Sequence, residues 1–334
     1  MNLVAHTRPP AKLNLFLELL KRRDDGFHEI DTVMIPIDWC DELQITRTEE
    51  AGVRLSVDWL PSQEVIAKRL GIDPKSDQGK QLLRVPSDES NLVHRAITRF
   101  VQTFEIQAGF DCRLGKRIPA GAGMGGASSD AAAALRCCAK LCGIPDHAQQ
   151  LWDIAAEIGS DVPFFLGSVK NEKVLSMAAV RATGRGEVLC PAAVTSPLHF
   201  VVAYPNVALS TAKVYADCQV PLAPVSADEF VKELASGDIS RFGPLMMNRL
   251  SEPAKKNAIE IDKMLRSLWR TDLRLCQLTG SGSACFALAD SLEQANECSK
   301  RVLAMLEPGA LVMATQSVGV PADVTVSSEL HSST

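Results

Sequence analysis

Residues 119–135, Pro-Ala-Gly-Ala-Gly-Met-Gly-Gly-Ala-Ser-Ser-Asp-Ala-Ala-Ala-Ala-Leu, constrain this chain more than any other stretch. Gly121, Gly123, Gly125 and Gly126 crowd into six residues, and Ser128 and Ser129 follow. Such glycines let the backbone take positive φ and turn several N–H groups toward one point. Ser128, Ser129 and Asp130 favour a helix start. Residues 131–134, all Ala, are strong helix formers and leave no bulk between the helix and its neighbours. Gly143 and Pro145 close the helix. A glycine loop that opens a helix offers free N–H groups and the positive end of a dipole to an anion, phosphate above all. A plain connecting turn would need one or two glycines, not four with two hydroxyls behind them.

The kind of phosphate loop is narrowed by what is missing. Gly121-x-Gly123-x-x-Gly126 fits the dinucleotide fingerprint, but the acidic residue that fingerprint needs about 20 residues on is replaced by Leu141-Cys142-Gly143. There is no Gly-Lys-Ser/Thr of a Walker loop, and no Asp-Phe-Gly or His-Arg-Asp of a protein kinase. A net charge of −5 points to neither a nucleic acid nor a membrane surface. No apolar run is long enough for a membrane span, and Met1 to Pro10 reads as too short and polar for a signal peptide. Ten cysteines without a single Cys-x-x-Cys imply free thiols in a reducing cytoplasm. Cys137, Cys138 and Cys142, on the glycine-loop helix, read as small apolar residues.

At 334 residues the chain has room for two domains. Residues 11–17 alternate strictly and predict a strand with Leu13, Leu15 and Leu17 on its core face. Lys12 and Asn14 share the other face, which pattern alone reads as solvent-facing. Strands are predicted at 32–37, 41–46, 53–57, 110–114, 199–204 and 312–320. Helices are predicted at 64–70, 91–103, 147–158, 211–216, 227–234, 253–269 and 292–306. Residues 71–79 read as a surface loop, Asp161-Val-Pro163 as an extended turn, and Gly184-Arg-Gly186-Glu187 as a hairpin. Residues 278–288 hold a second glycine loop before an apolar strand. Residues 323–334 are Ser- and Thr-rich and predict a flexible tail.

Several separated blocks carry a family resemblance: Pro10-Ala-Lys-Leu-Asn-Leu-Phe-Leu17 with Asp25-Gly-Phe-His28, Pro119 to Ala134 with Ile158-Gly-Ser-Asp-Val-Pro-Phe164, and Leu278 to Phe286. Together they resemble the GHMP kinases, in the branch whose acceptor carries a cytidine diphosphate. Met124 stands where that family usually has Leu, and Gly126-Ala127 adds a residue before the serines. The resemblance implies an ATP-dependent kinase with Mg²⁺, acting on a small cytidine-diphosphate substrate. It implies an α+β, two-domain fold, with an N-terminal half like domain 2 of ribosomal protein S5 and a ferredoxin-like C-terminal α/β sandwich. The domains are expected at 1–172 and 173–322, with 59–86 an insertion: either a mobile flap near the nucleotide or a segment without function. Other GHMP kinases, of the homoserine or mevalonate type, and a non-catalytic nucleotide-binding module are the rival readings. A monomer or weak homodimer is expected.

By that resemblance Lys12 and Asp161 form the catalytic pair, although from the residues alone Asp161 reads as a turn aspartate or a cap. Asn91 and Lys116 match positions near adenine. Pro119, Ala120, Gly121, Ala122, Gly123, Met124, Gly125, Gly126, Ala127, Ser128 and Ser129 surround the phosphates, one of the two serines reaching Mg²⁺ or a β-phosphate oxygen. Asp130 either faces away or leans toward the metal; no protein metal ligand is assigned. Asn14 and His28 hold the cytidine end. Phe27 and Tyr215 sandwich the base, with Phe27 lacking the hydroxyl of the Tyr common there. Thr211, Gly280 and Ser281 complete the substrate side.

Overall fold

The computed structural model describes residues 2–170, 173–175, 177–306 and 308–329. The chain opens with strands β1 (Asn2–Thr7), β2 (Pro10–Arg22), β3 (His28–Cys40), β4 (Glu42–Thr48) and β5 (Gly52–Trp59). Two short helices follow, α1 (Gln63–Leu70) and α2 (Asp77–Leu83), then α3 (Leu92–Thr103) and β6 (Gly109–Lys116). The glycine loop leads into α4 (Gly126–Cys142), α5 (Gln149–Ile158) and α6 (Val162–Leu166). A small hairpin, β7 (Ser168–Lys170) and β8 (Lys173–Leu175), precedes β9 (Ala179–Gly184) and β10 (Val188–Ala192).

The second half runs β11 (His199–Pro205), α7 (Thr211–Ala216), α8 (Asp228–Leu234), α9 (Ile239–Phe242), β12 (Met247–Asn248), α10 (Ser251–Asn257) and α11 (Ile259–Trp269). It ends with β13 (Arg274–Leu278), β14 (Cys285–Ala289), α12 (Leu292–Leu306), β15 (Ala310–Gln316) and β16 (Val324–Glu329).

Three larger sheets organise these elements. The first has the order β16-β1-β4-β6-β5, the second β10-β9-β3-β2-β12, and the third β13-β14-β11-β15. The third, with α11 and α12 packed on it, is the C-terminal α/β sandwich that the resemblance implies. Helices α3 and α4 pack on the first sheet. Ala131, Ala132 and Ala134 are wholly buried, and with no side chain beyond Cβ they let α4 approach α3 closely.

The predicted solvent face of β2 is not a solvent face. Lys12 and Asn14 are 4% and 3% exposed, because the glycine loop and residues 277–281 cover that side of the strand. Strand pairing also crosses the expected domain boundary. β9 and β10 lie beyond residue 172, yet β9 pairs antiparallel with β3 from Ile30↔Gly184 to Met34↔Val180. They complete the sheet that holds Lys12. Residues 171 and 172 themselves lie outside the described residues.

Other expectations are corrected. The flexible tail is a strand as far as residue 329: β16 pairs with β1 from Thr7↔Val324 to Asn2↔Glu329, since the open edge of β1 offers it unpaired backbone groups. Residues 330–334 of the predicted tail lie outside the described residues. Asp161-Val-Pro163 is not extended but starts α6, with Pro163 in the first turn, where no N–H is required. Helix 253–269 breaks at Ala258 (φ −150°, ψ 113°), and Ala254, Ala258 and Ile261 all remain buried across the break. The loop predicted at 71–79 ends early, because Ser76 caps α2 by accepting the Gly79 N–H at 3.0 Å.

Candidate active site

The glycine loop is built by backbone geometry that few side chains tolerate. Gly123 (φ +77°) and Gly125 (φ +70°) are left-handed, and Gly125 caps α4. A Cβ at Gly123 would lie 2.3 Å from Thr279 O. The second glycine loop is pressed against the first: the Ala284 N–H donates to Ala122 O at 3.1 Å, and the Lys12 N–H to Met124 O at 2.9 Å.

A cavity of about 300 Å³ opens above the loop. It is lined by Asn91, Lys116, Pro119, Ala120, Gly121, Ala122, Gly123, Met124, Gly125, Gly126, Ala127 and Ser128, as the sequence reading expects. Ser129 is the exception. It sits 1% exposed with its hydroxyl unpartnered, turned away from the cavity by the helical rotation that points Ser128 into it.

Two of the expected nucleotide contacts are already engaged within the protein. Asn91 Oδ1 accepts the Val93 N–H at 2.8 Å as the cap of α3, and Asn91 Nδ2 donates to Pro86 O at 2.6 Å. The Lys116 ammonium is paired with Asp41 and lies 2.6 Å from Asp130 Oδ2, with all three side chains buried. Burial opposes the Lys116 charge, but Asp130 and Asp41 outweigh it and hold the ammonium above the ordinary lysine range. Burial raises the Asp130 carboxyl above the ordinary carboxylate range, against the pull of Lys116. Asp41 Oδ1 also accepts the N–H groups of Arg117 (2.5 Å) and Ile118 (2.9 Å), so the triad braces the strand entering the glycine loop. Asp130 Oδ1 lacks a hydrogen-bond partner among the described residues, and Asp130 lines the cavity.

A second cavity, of about 210 Å³, adjoins the loop at Gly123 and Gly125. Lys12, Asn14, Thr211, Tyr215, Gly280, Ser281 and Asp161 line it. Lys12 Nζ donates to Asn14 Oδ1 at 2.5 Å and lies 3.8 Å from Asp161 Oδ2. Asn14 is oriented in turn: its Nδ2 donates to Thr32 Oγ1 at 2.9 Å, and its N–H to Thr279 Oγ1 at 3.1 Å. Burial lowers the Lys12 pKa and Asp161 partly restores it. Asp161 stands at the N-cap position of α6 with its side chain about one-third exposed.

His28 and Phe27 do not line this cavity, but the His28 ring packs on Tyr215, which does, with centroids 5.5 Å apart. Burial, aided by the Asp161 charge, pushes the Tyr215 phenol up, and burial with Arg22 lowers His28. Thr211 Oγ1 and Ser281 Oγ are 2.9 Å apart. Phe27 is 56% exposed, with the Arg185 guanidinium 5.3 Å from its ring centroid. Arg185 lines the cavity from the β9–β10 turn. No pattern in the sequence assigns Arg185 to the site, although a cation between two glycines at a hairpin tip is a legible signal. A larger cavity, of about 730 Å³, holds none of the expected site residues.

Comparison with known proteins agrees with this geometry. The family models described as GHMP kinases N terminal domain and GHMP kinases C terminal match residues 91–168 and 230–307. A 4-diphosphocytidyl-2-C-methyl-D-erythritol kinase of Rhodopirellula baltica is 46% identical over 95% of this chain and 97% of its own length. One of Salinibacter ruber is 33% identical over 84% and 88%. A crystal structure of 4-(cytidine 5'-diphospho)-2C-methyl-D-erythritol kinase superposes with a TM-score of 0.71 at 27% identity, covering 94% of this chain and all of that one. A homoserine kinase of Cytophaga hutchinsonii, at 20% identity and TM-score 0.69 over 97% of each chain, shares the fold. The chain belongs to the GHMP kinase family, among the 4-diphosphocytidyl-2-C-methyl-D-erythritol kinases.

Proposed function

We propose that this chain transfers the γ-phosphate of ATP to the 2-hydroxyl of 4-diphosphocytidyl-2-C-methyl-D-erythritol, a step in the non-mevalonate route to isoprenoid precursors. One observation carries the reading: a glycine-loop anion cradle and the Lys12–Asn14–Asp161 group line adjoining cavities that share Gly123 and Gly125. The cytidyl-bearing end fits the mouth, where Tyr215, His28 and Phe27 supply flat faces for a base and Arg185 a cation for the diphosphate. A small acceptor such as homoserine would leave those groups idle.

An alcohol is a weak nucleophile at neutral pH. Asp161 takes the hydroxyl proton as the oxygen closes on the γ-phosphorus, and the bond to the β–γ bridging oxygen breaks to release ADP. Such base assistance is worth roughly 10²–10⁴-fold. Lys12, held by Asn14 and 3.8 Å from Asp161, offsets charge on the reacting oxygens. The glycine-loop N–H groups and the α4 dipole fix the triphosphate.

Among the described residues no three His, Cys, Asp or Glu side chains gather as a metal site. The cavity-lining Ser128 hydroxyl and the unpartnered Asp130 Oδ1 are nonetheless hard oxygen donors of the kind Mg²⁺ takes. They would hold an ion carried mainly by the triphosphate, which would neutralise charge on the β- and γ-oxygens. No helix among the described residues is long and apolar enough to cross a membrane. The ten free cysteines suit a reducing cytoplasm, and a monomer or weak homodimer is the assembly we expect.

Cytidine diphosphate tests the reading without chemistry. It should compete with the acceptor and not with ATP, and Tyr215→Ala and Arg185→Ala should each weaken it. Competition with ATP alone would overturn the assignment of the two cavities.

A further inference from the structure

Residues 59–86, read from sequence as an insertion, are a strap whose last three residues wall the glycine-loop cavity. Helices α1 and α2 bury Ile66, Ala67, Leu70, Leu82 and Leu83 in a core shared with Phe200, Tyr204 and Leu311 of the C-terminal half. The strap is also fastened by polar bonds. The Trp59 indole N–H donates to Leu83 O at 2.8 Å, Gln78 Nε2 to Asn206 O at 2.7 Å, Asn206 Nδ2 to Leu70 O at 3.0 Å, and the Gly309 N–H to Arg69 O at 3.0 Å. Where α2 ends, Arg84 turns extended (φ −74°, ψ 120°), and two residues later Pro86 O accepts from Asn91. Arg84, Val85 and Pro86 therefore line the same cavity as the glycine loop.

At this end Asn91, Lys116 and Asp88 are engaged within the protein. The Asn91 amide caps α3 and holds Pro86, and Lys116 is locked between Asp41 and Asp130. Asp88, the acidic neighbour, binds the Ser90 N–H at 2.9 Å and the Ser90 hydroxyl. Arg84 is exposed, and no hydrogen bond or ion pair engages its guanidinium among the described residues. Val85, Pro86, Leu92 and Ile118 make this end of the cavity apolar, suited to a purine.

We propose that Arg84 is a nucleotide-contacting, specificity-determining residue that reads the base-and-ribose end of ATP, held in place by the strap of residues 59–86. The inference rests on assigning the glycine-loop cavity to ATP. A guanidinium is planar, so it stacks on a purine face while its edge donors reach ribose hydroxyls, and a lysine cannot do both.

The test is calorimetric titration of ATP, ADP and adenosine into the full chain and its Arg84→Ala and Arg84→Lys variants, with steady-state kinetics alongside. Arg84→Ala should weaken all three ligands about tenfold, the scale of one base–side-chain stack, and raise KM for ATP without raising KM for the cytidyl substrate. Arg84→Lys should not restore affinity. Unchanged affinity in Arg84→Ala, full rescue by lysine, or a loss confined to ATP and ADP with adenosine unaffected would each overturn the inference. Wild-type protein without affinity for ATP would instead overturn the assignment of the cavity.

Discussion

The Lys12 ammonium and the Asp161 carboxylate approach to 3.8 Å, one from the second strand of the chain and the other from the start of a five-residue helix. Lys12 is almost fully buried while Asp161 keeps about a third of its side chain open. Both line the same cavity, the lysine as the buried member of the pair and the aspartate as the more open one. Asn14, 2.5 Å from Lys12 Nζ, fixes the geometry from the other side.

Replacing Asp161 by Asn keeps size and polarity but removes the base. Turnover should fall by about 10²–10⁴-fold, with ATP affinity within a factor of about two, since Asp161 lines only the acceptor cavity. Single-turnover kinetics with a nucleotide titration separates the two; near-wild-type turnover would remove Asp161 from the base role.

Lys12 should set the alkaline side of the pH profile. Burial lowers its pKa below the ordinary lysine value of 10.5, and Asp161 only partly compensates. The active form carries the ammonium, so activity is retained below the lowered pKa and lost as pH rises through it. The alkaline limb of kcat/KM should lie below 10.5. Lys12→Met should be slow at every pH and lack that limb, and a Met variant with the wild-type limb would assign it elsewhere.

The close contact of the two glycine loops makes Gly123 intolerant of a side chain. Gly123→Ala would place Cβ 2.3 Å from the backbone oxygen of Thr279 at a left-handed φ. The loops must part, so ATP affinity should drop at least tenfold and thermal stability should fall. Gly121 has the same left-handed sign of φ but open space around its Cβ, so Gly121→Ala should be the milder change by both calorimetry and melting.

Asp41 is fully buried and shares Lys116 with Asp130. Asp41→Ala leaves a buried ammonium with one carboxylate fewer and frees the N–H groups of Arg117 and Ile118. Breaking a buried charge network in this way costs about 3–5 kcal/mol. Denaturant unfolding should show that loss; a change under about 1 kcal/mol would mean that the triad does not brace the loop.

Much of the site was legible before the structure, and the failures share a cause. The glycine loop announces itself, because positive φ, free N–H groups and a helix start all demand particular residues in a short run. Lys12 and Asn14 sit on a strand whose period of two fixes sides but not what covers each side, so their burial waited on the second glycine loop, some 265 residues away. Asp161 has no local signature, and only the family resemblance singles it out. Lys116 and Asn91 line the glycine-loop cavity. Their engagement with Asp41, Asp130 and Pro86 is long-range or loop geometry that no spacing encodes. The tail strand β16 was missed because its pairing partner is β1, at the other end of the chain.

The central claim is the acceptor, and ADP release measured with one acceptor at a time tests it most directly. With ATP and Mg²⁺, 4-diphosphocytidyl-2-C-methyl-D-erythritol should support turnover and yield a product phosphorylated at the 2-hydroxyl, while homoserine and mevalonate should give only background. Turnover of homoserine or mevalonate with none of the cytidyl substrate would contradict the account.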